Sequence, residues 1–445
     1  MGNKILQRAY YIIIPTLLIG ISLGYTNFNI AFAALLPLLF MTNRHTLGVF
    51  LTMYGGPLGG VIRAMYPSLP VYGLLLRLIG FILIWELVVD LFSNNLRFFG
   101  LMALLLAVFG IFYMIGPQDE WAIDKYSAMC INGFIMIICY YAYCRSNVID
   151  AECLYRLLII AAICMFAYVV ATLSIIPGQI YDYNWFREQS LSLRREYEEY
   201  DVNVVVGYQH VGMLLAYAVT IVLSQIKINK QTIILYVICG LHASLMSGCR
   251  QAVLAIVIVI ALRMVVFTKK NLQQRMSMTR ILGTFIGISL SYYAINFFFE
   301  NVQSDVISYT LEEGDSGRQS LFLYAWNIFL NYPIMGAGIG GFHAITGEVW
   351  PHNFFLEALC ETGLVGTTII VTIAIATLVR KRVGLFFLTE SNMFYFLVVI
   401  TLFIRVMVSS DFTESIELYS AILTIPIAGR IISQTEENDN ESQYV

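Results

Sequence analysis

Hydrophobic residues fall along this chain in long unbroken runs rather than in alternating stripes. A helix needs roughly 20 apolar residues to cross a bilayer, within a working range of about 17–25. Runs of that kind predict spans near 9–25, 27–41, 46–62, 72–91, 96–115, 127–144, 154–176, 204–224, 231–247, 250–267, 280–299, 354–379, 385–406 and 412–432. The second and third are short and interrupted by Gly and Pro, so the pattern predicts twelve to fourteen spans. Two polar stretches stand out, 177–203 and 300–353. Both exceed the about 12–15 residues beyond which a connection is usually functional or disordered. The chain therefore reads as N-terminal helices over 1–176, a first long loop over 177–203 and central helices over 204–299. A second long loop over 300–353, C-terminal helices over 354–432 and a polar tail over 433–445 complete it.

Charge placement orients these spans. Lys4 and Arg8, Arg44, Arg97, Arg145 and Arg156, Lys227 and Lys230, the run from Lys269 to Arg280, and Arg380-Lys381-Arg382 share one face in a fourteen-span arrangement. Short loops rich in Lys and Arg stay in the cytoplasm. Arg63 is the minor exception. Both termini are then expected in the cytoplasm and both long loops outside it. The first apolar run ends at Gly24, and apolar sequence resumes immediately after Ala31-Phe32-Ala33, which faintly resembles a cleavage site, so the run reads as an uncleaved span.

Composition agrees. Hydrophobic residues make up 59% of the 445 and charged residues 12%, against about 25% charged in soluble domains. An all-α polytopic membrane protein follows, and no nucleic-acid partner is indicated. The eight Cys sit mostly in or beside apolar runs and suggest neither a disulfide framework nor a CxxC metal site. No metal site and no cofactor are expected.

Candidate chemistry concentrates between Ser316 and Gly366. Ser316-Gly317-Arg318-Gln319 fits a capping box and predicts a helix from about Gly317 to Leu330, ending before Asn331-Tyr332-Pro333. Arg318 would lie in its first turn, where outward N–H groups favour an anion; pairing with Asp315 or Glu313 in a solvated loop is the plainer alternative. Gly336, Gly338, Gly340 and Gly341 lack the preceding strand of a phosphate-binding loop and read as a tight turn permitting close backbone approach. Pro351-His352-Asn353 opens the next apolar helix, with Glu357 and Glu361 one and two turns beyond Asn353. His352 reads either as a proton acceptor for a hydroxyl or as a helix-capping residue at the interface, and Glu357 is the next candidate base. Arg250, in Ser247-Gly248-Cys249-Arg250-Gln251, falls at the outer end of the tenth span, where snorkelling is the usual explanation. Arg187, Arg194 and Arg195 in the first loop are mixed with Glu188, Glu196, Glu198 and Glu199, a pattern that fits a solvated helical face.

The segments SGRQSLFLYAWNIFLNYPIMGAGIGGF and PHNFFLEALCETGLVG together resemble the O-antigen ligase/polymerase superfamily. Its members are bacterial membrane glycosyltransferases that act on undecaprenyl-pyrophosphate-linked glycans. The resemblance in motifs spans roughly 240–380. It implies a GT-C-like, inverting, metal-independent transfer at the outer face of the inner membrane. On the matching positions it implies that Arg250 and Arg318 hold the donor's pyrophosphate and that His352 lies beside the acceptor hydroxyl; by similarity to the Arg-bearing outer loops of O-antigen polymerases, Arg187, Arg194 and Arg195 are weaker candidates for holding the glycan. Implied partners are an undecaprenyl-pyrophosphate-linked oligosaccharide, membrane lipids, and a chain-length regulator and flippase of the same pathway. The polymerase reading leads and the ligase reading follows. The rival class is a transporter, for which Glu86 and Asp90 in the fourth span are the best signals.

Overall fold

The computed structural model describes, apart from short breaks, residues 9–20, 25–172, 250–266, 318–379 and 393–424, with helical fragments inside 212–241. The elements are helices: α1 (Phe28–Met41), α2 (Arg44–Met65), α3 (Gly73–Leu83), α4 (Trp85–Asn94), α5 (Leu96–Ile115), α6 (Glu120–Cys144), α7 (Ala151–Thr172), α8 (Arg250–Val266), α9 (Arg318–Asn331), α10 (Gly341–Thr346), α11 (Phe354–Val379) and α12 (Met393–Ser409). This is an all-α membrane protein. Among the described residues, Glu120–Tyr143 and Phe354–Thr377 are each long and apolar enough to cross a bilayer, and α4 with α5 adds a third if that bent pair forms one span. The remaining expected spans run partly through stretches outside the described residues, 280–299 among them.

The chain divides into two compact units that interleave in sequence: residues 1–88 with 145–263, and residues 89–144 with 264–445. In the first, close packing rests on glycine. Gly48, Gly55, Gly56 and Gly59 on α2 face Gly73 and Gly80 on α3 so tightly that a Cβ on Gly59 would lie 2.6 Å from the Gly73 Cα, and one on Gly80 would lie 2.5 Å from the Thr52 nitrogen. Lipid tails are as apolar as Leu, so helices in a bilayer gain most from such backbone-to-backbone approach. Pro57 is accommodated inside α2. Sequence read Gly55-Gly56-Pro57 as an interruption; the glycines instead form a packing face on a continuous helix.

Side-chain caps fix the neighbouring elements. Asn43 accepts from the Thr46 N–H (2.8 Å) at the start of α2, and the Thr46 hydroxyl accepts from the Asp150 N–H (2.8 Å) just before α7. The predicted span over 72–91 is two helices, with a turn at Ile84 between α3 and α4. No Gly or Pro stands at this point, and Glu86 in the first turn of α4 is the polar residue nearest to it. Beyond it, Glu86 accepts from Arg44 at 2.6 Å on the exposed surface, where solvent screening leaves such a pair little weight in stability.

In the second unit, α9 packs on α11 through Ala325, Ile328, Phe342 and Cys360, with Leu321, Phe329, Ala337 and Leu356 around them. The end of α9 is set one residue beyond expectation, at Asn331. Asp90 on α4 accepts hydrogen bonds from the Tyr141 hydroxyl of α6 and from Asn94 (2.7 Å).

The glycine face yields a direct test. Gly80→Ala should lower the thermal unfolding midpoint in detergent, by the equivalent of about 1–3 kcal/mol of overpacking. Gly100→Ala is the control, since a Cβ there meets nothing within 4 Å and should be neutral or stabilising by about 0.5–1 kcal/mol. Equal midpoints for the two variants would remove the close-packing argument.

Candidate functional site

The site is built on a break in α11. Gly363 sits inside that helix with φ 62° and ψ −165°, a conformation essentially restricted to glycine. The break removes the bonds that the Leu364 and Val365 N–H groups would make to the Cys360 and Glu361 carbonyls one turn back. Four backbone groups are left over at membrane depth, where each orphan costs several kcal/mol.

The glycine-rich turn takes up all four. Leu364 N–H donates to the Pro333 carbonyl (2.9 Å) and Val365 N–H to the Ile334 carbonyl (3.1 Å). In return Ala337 N–H donates to the Cys360 carbonyl (2.8 Å) and Gly338 N–H to the Glu361 carbonyl (2.9 Å). Such pairing needs backbones in contact, which Gly336 and Gly338 allow with φ of 69° and 82°. A Cβ on Gly336 would meet the Glu361 carbonyl carbon at 2.4 Å. The turn is therefore the close backbone approach expected from its composition. It also reaches the last turn of α5, where Ile339 N–H donates to the Phe112 carbonyl (3.1 Å).

Onto this frame three charged side chains converge. Lys125, on α6, donates to Glu357 Oε1 at 2.5 Å and to both oxygens of Glu361 at 3.0 and 2.9 Å. The three side chains are 5%, 0% and 1% exposed. Glu361 Oε1 also accepts from the Gly340 N–H (3.2 Å), and the Lys125 ammonium stands 5.3 Å from the centre of the Phe412 ring. The triad thus binds α6 and α11 to the end of the glycine turn. Sequence reading placed Glu357 and Glu361 on one face but missed Lys125, because the hydrophobic run was begun at 127. The helix starts at Glu120, capped by Asp119 accepting from the Ala122 N–H (2.8 Å). The signal available in sequence was that Asp119, an acceptable N-cap.

His352 lies immediately before α11 with φ 56°, one of two non-glycine residues at positive φ among the described residues. Conformations of this sort cost about 1–3 kcal/mol and are held only by their surroundings. Those surroundings include Trp350, whose Nε1–H donates to His352 Nδ1 (3.0 Å), and Asn353. Asn353 caps α11 by accepting from the Leu356 N–H (3.1 Å) and donates to the Met407 carbonyl of α12 (3.0 Å). The capping role that sequence offered as the plain reading of His352 falls to Asn353.

Arg318 opens α9, within one residue of the expected start, and belongs to the second unit with His352. Arg250 opens α8 in the first unit. The side chains of both arginines, and Arg187, Arg194 and Arg195 entirely, lie outside the described residues. Glu86 and Asp90, the two signals for a transporter, are both engaged in the contacts already given.

The fold and site define an all-α membrane protein with buried ionic pairing close to the start of a broken span. Residues 235–371 match the family described as O-antigen ligase, the superfamily whose motifs the chain resembles, and the match contains Arg250, Arg318, His352, Glu357 and Glu361. It supports a ligase- or polymerase-type function in a membrane glycosyltransferase-like enzyme. No curated protein matches the chain.

The buried triad makes a quantitative prediction. Lys125→Met leaves two carboxylates without their cation and should cost about 3–5 kcal/mol, read as a lower aggregation temperature in detergent. Adding Glu357→Gln and Glu361→Gln to Lys125→Met removes the stranded charge and should recover most of the loss. A single variant as stable as the parent would show the triad to be unimportant for packing.

Proposed function

We propose that the protein is a surface-polysaccharide polymerase of the inner membrane, which transfers an undecaprenyl-pyrophosphate-linked glycan onto a lipid-linked repeat unit at the outer face. The observation that carries this reading is the joining of two separated motif segments. The glycine turn of one is hydrogen-bonded into the α11 break of the other, so that Arg318 at the head of α9 and His352 at the head of α11 belong to one rigid backbone device. In the topology read from charge placement, the heads of α6 and α11 face outward, where no nucleotide cofactor is at hand. A glycosyl pyrophosphate already carries the driving energy for transfer.

In this reading the acceptor hydroxyl attacks the anomeric carbon from the face opposite the pyrophosphate, and the bond to the pyrophosphate breaks with its electron pair leaving on phosphate oxygen. Arg250 and Arg318 supply guanidinium forks that bind phosphate bidentately and stay charged, stabilising the charge that develops on the leaving group. Arg187, Arg194 and Arg195 in the first long outer loop would hold the growing chain. Inversion and metal independence belong to this proposal, as do the cytoplasmic termini and the pairing with a flippase and a chain-length regulator. The family description favours a second reading, an O-antigen ligase that moves the finished glycan to lipid A–core. The two share a donor site and differ in the acceptor.

A surface-glycan gel of a strain deleted for this gene, with and without plasmid complementation, separates them. Core carrying at most one repeat unit is the polymerase result. Bare core with long polymer left on the lipid carrier is the ligase result, and unchanged lipopolysaccharide, capsule and exopolysaccharide would overturn both. On the protein, Arg318→Lys should reduce transfer by about 100-fold, the scale of losing one transition-state donor, since Lys cannot reproduce the fork. Full activity in that variant would remove Arg318 from the phosphate site.

A further inference from the structure

The sequence reading gave His352 the part of a base beside the acceptor hydroxyl. The geometry points to a different part. Trp350 Nε1–H donates to His352 Nδ1 at 3.0 Å. An indole nitrogen is only ever a donor, so His352 Nδ1 must be the unprotonated, accepting nitrogen. In a neutral imidazole the proton then resides on Nε2. A ring in that state cannot take a proton at Nε2, whereas a hydroxyl base acting through Nε2 requires the opposite tautomer. We propose that Trp350 is a positioning residue that locks His352 in the Nε2–H form, and that His352 thereby acts as a hydrogen-bond donor to an oxygen of the substrate pyrophosphate.

Three features support the assignment. His352 is held at φ 56°, so the direction of its Cα–Cβ bond is set by the backbone of a tight Pro351-His352-Asn353 corner. Asn353, next in the chain, is anchored at both ends of its amide, to α11 and to the Met407 carbonyl, which fixes the corner. Trp350 lies two residues before His352, near enough to clamp the ring, and the two rings meet edge to face with centres 5.6 Å apart. Among the oxygens that take part in transfer, those of the departing pyrophosphate gain negative charge, and a fixed N–H donor stabilises such an oxygen most where the charge develops. The acceptor oxygen bonds to the anomeric carbon as the pyrophosphate leaves with the electron pair, and its proton is lost to water at the outer face. No histidine base enters that balance.

The inference rests on the glycosyl-transfer reading for its substrate, and its first test does not. The full-length protein, labelled with 15N-histidine and reconstituted in nanodiscs, contains five His, and the His352 signals are those lost in His352→Gln. Near neutral pH the ring should show a bare Nδ1 and a protonated Nε2. Trp350→Phe should shift it toward a mixture of tautomers. A protonated Nδ1 in the parent protein would overturn the proposal irrespective of activity.

Transfer assays with extracted undecaprenyl-pyrophosphate-linked oligosaccharide supply the second test. The Gln amide nitrogen falls where His Nε2 lies, and the Asn amide nitrogen where Nδ1 lies. His352→Gln should keep transfer within about tenfold of the parent, while His352→Asn should lose about 100-fold or more. Trp350→Phe should lower kcat with little change in KM, and it should do so in protein whose thermal stability matches the parent. Equal inactivity of the Gln and Asn variants, both folded, would overturn the donor role. No transfer by the parent on any lipid-linked glycan would instead count against the enzyme reading, with the tautomer still decided by the nitrogen spectra.

Discussion

The backbone break at Gly363 is the constraint on which the second unit depends. A helix in a bilayer is stable because its polar backbone is consumed within itself. Interrupting it early in a span creates a debt of two donors and two acceptors. Residues Pro333 to Gly338 cancel that debt with a matching set. The exchange is reciprocal, so neither segment is satisfied alone. It also explains the glycines physically: a Cβ at Gly336 or Gly363 would lie 2.4 Å from backbone of the other segment. Spacing that resembles a phosphate-binding loop in sequence is here a backbone splice between a turn and a broken span.

The splice has an electrostatic counterpart. With the turn fixed on α11, the Gly340 N–H reaches Glu361, and Lys125 spans Glu361 and Glu357 from α6. Placing one ammonium between two carboxylates in a nearly dry site does not by itself make a structure stable, since desolvation offsets much of the Coulomb attraction. What it supplies is register. Each charge has one position at which it is matched, so α6 cannot slide against α11 without stranding a charge. The apolar faces around it, such as Ala325, Ile328, Phe342 and Cys360, specify that register far less sharply.

Much of this was legible in the sequence, and the residues show why the remainder was not. The end of α9 before Pro333, the apolar course of α11 and the close backbone approach of the glycine turn followed from local rules about proline, hydropathy and glycine. These are properties of short segments. Lys125 was not legible because its meaning depends on residues more than 230 positions away. On a hydropathy scale it only trims the end of a span. The turn at Ile84 was hidden because its one polar mark, Glu86 in the first turn of α4, reads on a hydropathy scale as a lone charge inside a span. His352 was legible as a residue of interest, but its tautomer was not. That property is written in Trp350, whose indole in sequence suggests only an interfacial aromatic.

The arrangement bears on how a site can be exact at the rim of a membrane. Loops at such a rim are wet and mobile by default, while transition-state stabilisation needs donors held within a fraction of an ångström. On the proposed topology and function, this chain meets the difficulty by making the rim part of the helix framework. The glycine turn is hydrogen-bonded into α11, the corner before α11 is tied through Asn353 to α12, and α6 is ionically joined to α11. His352 stands on that corner with its ring clamped by Trp350. A base that must gain and lose a proton benefits from some freedom to reorient, whereas a donor aimed at developing charge benefits from having none. The rigidity around His352 is therefore itself an argument for the donor role.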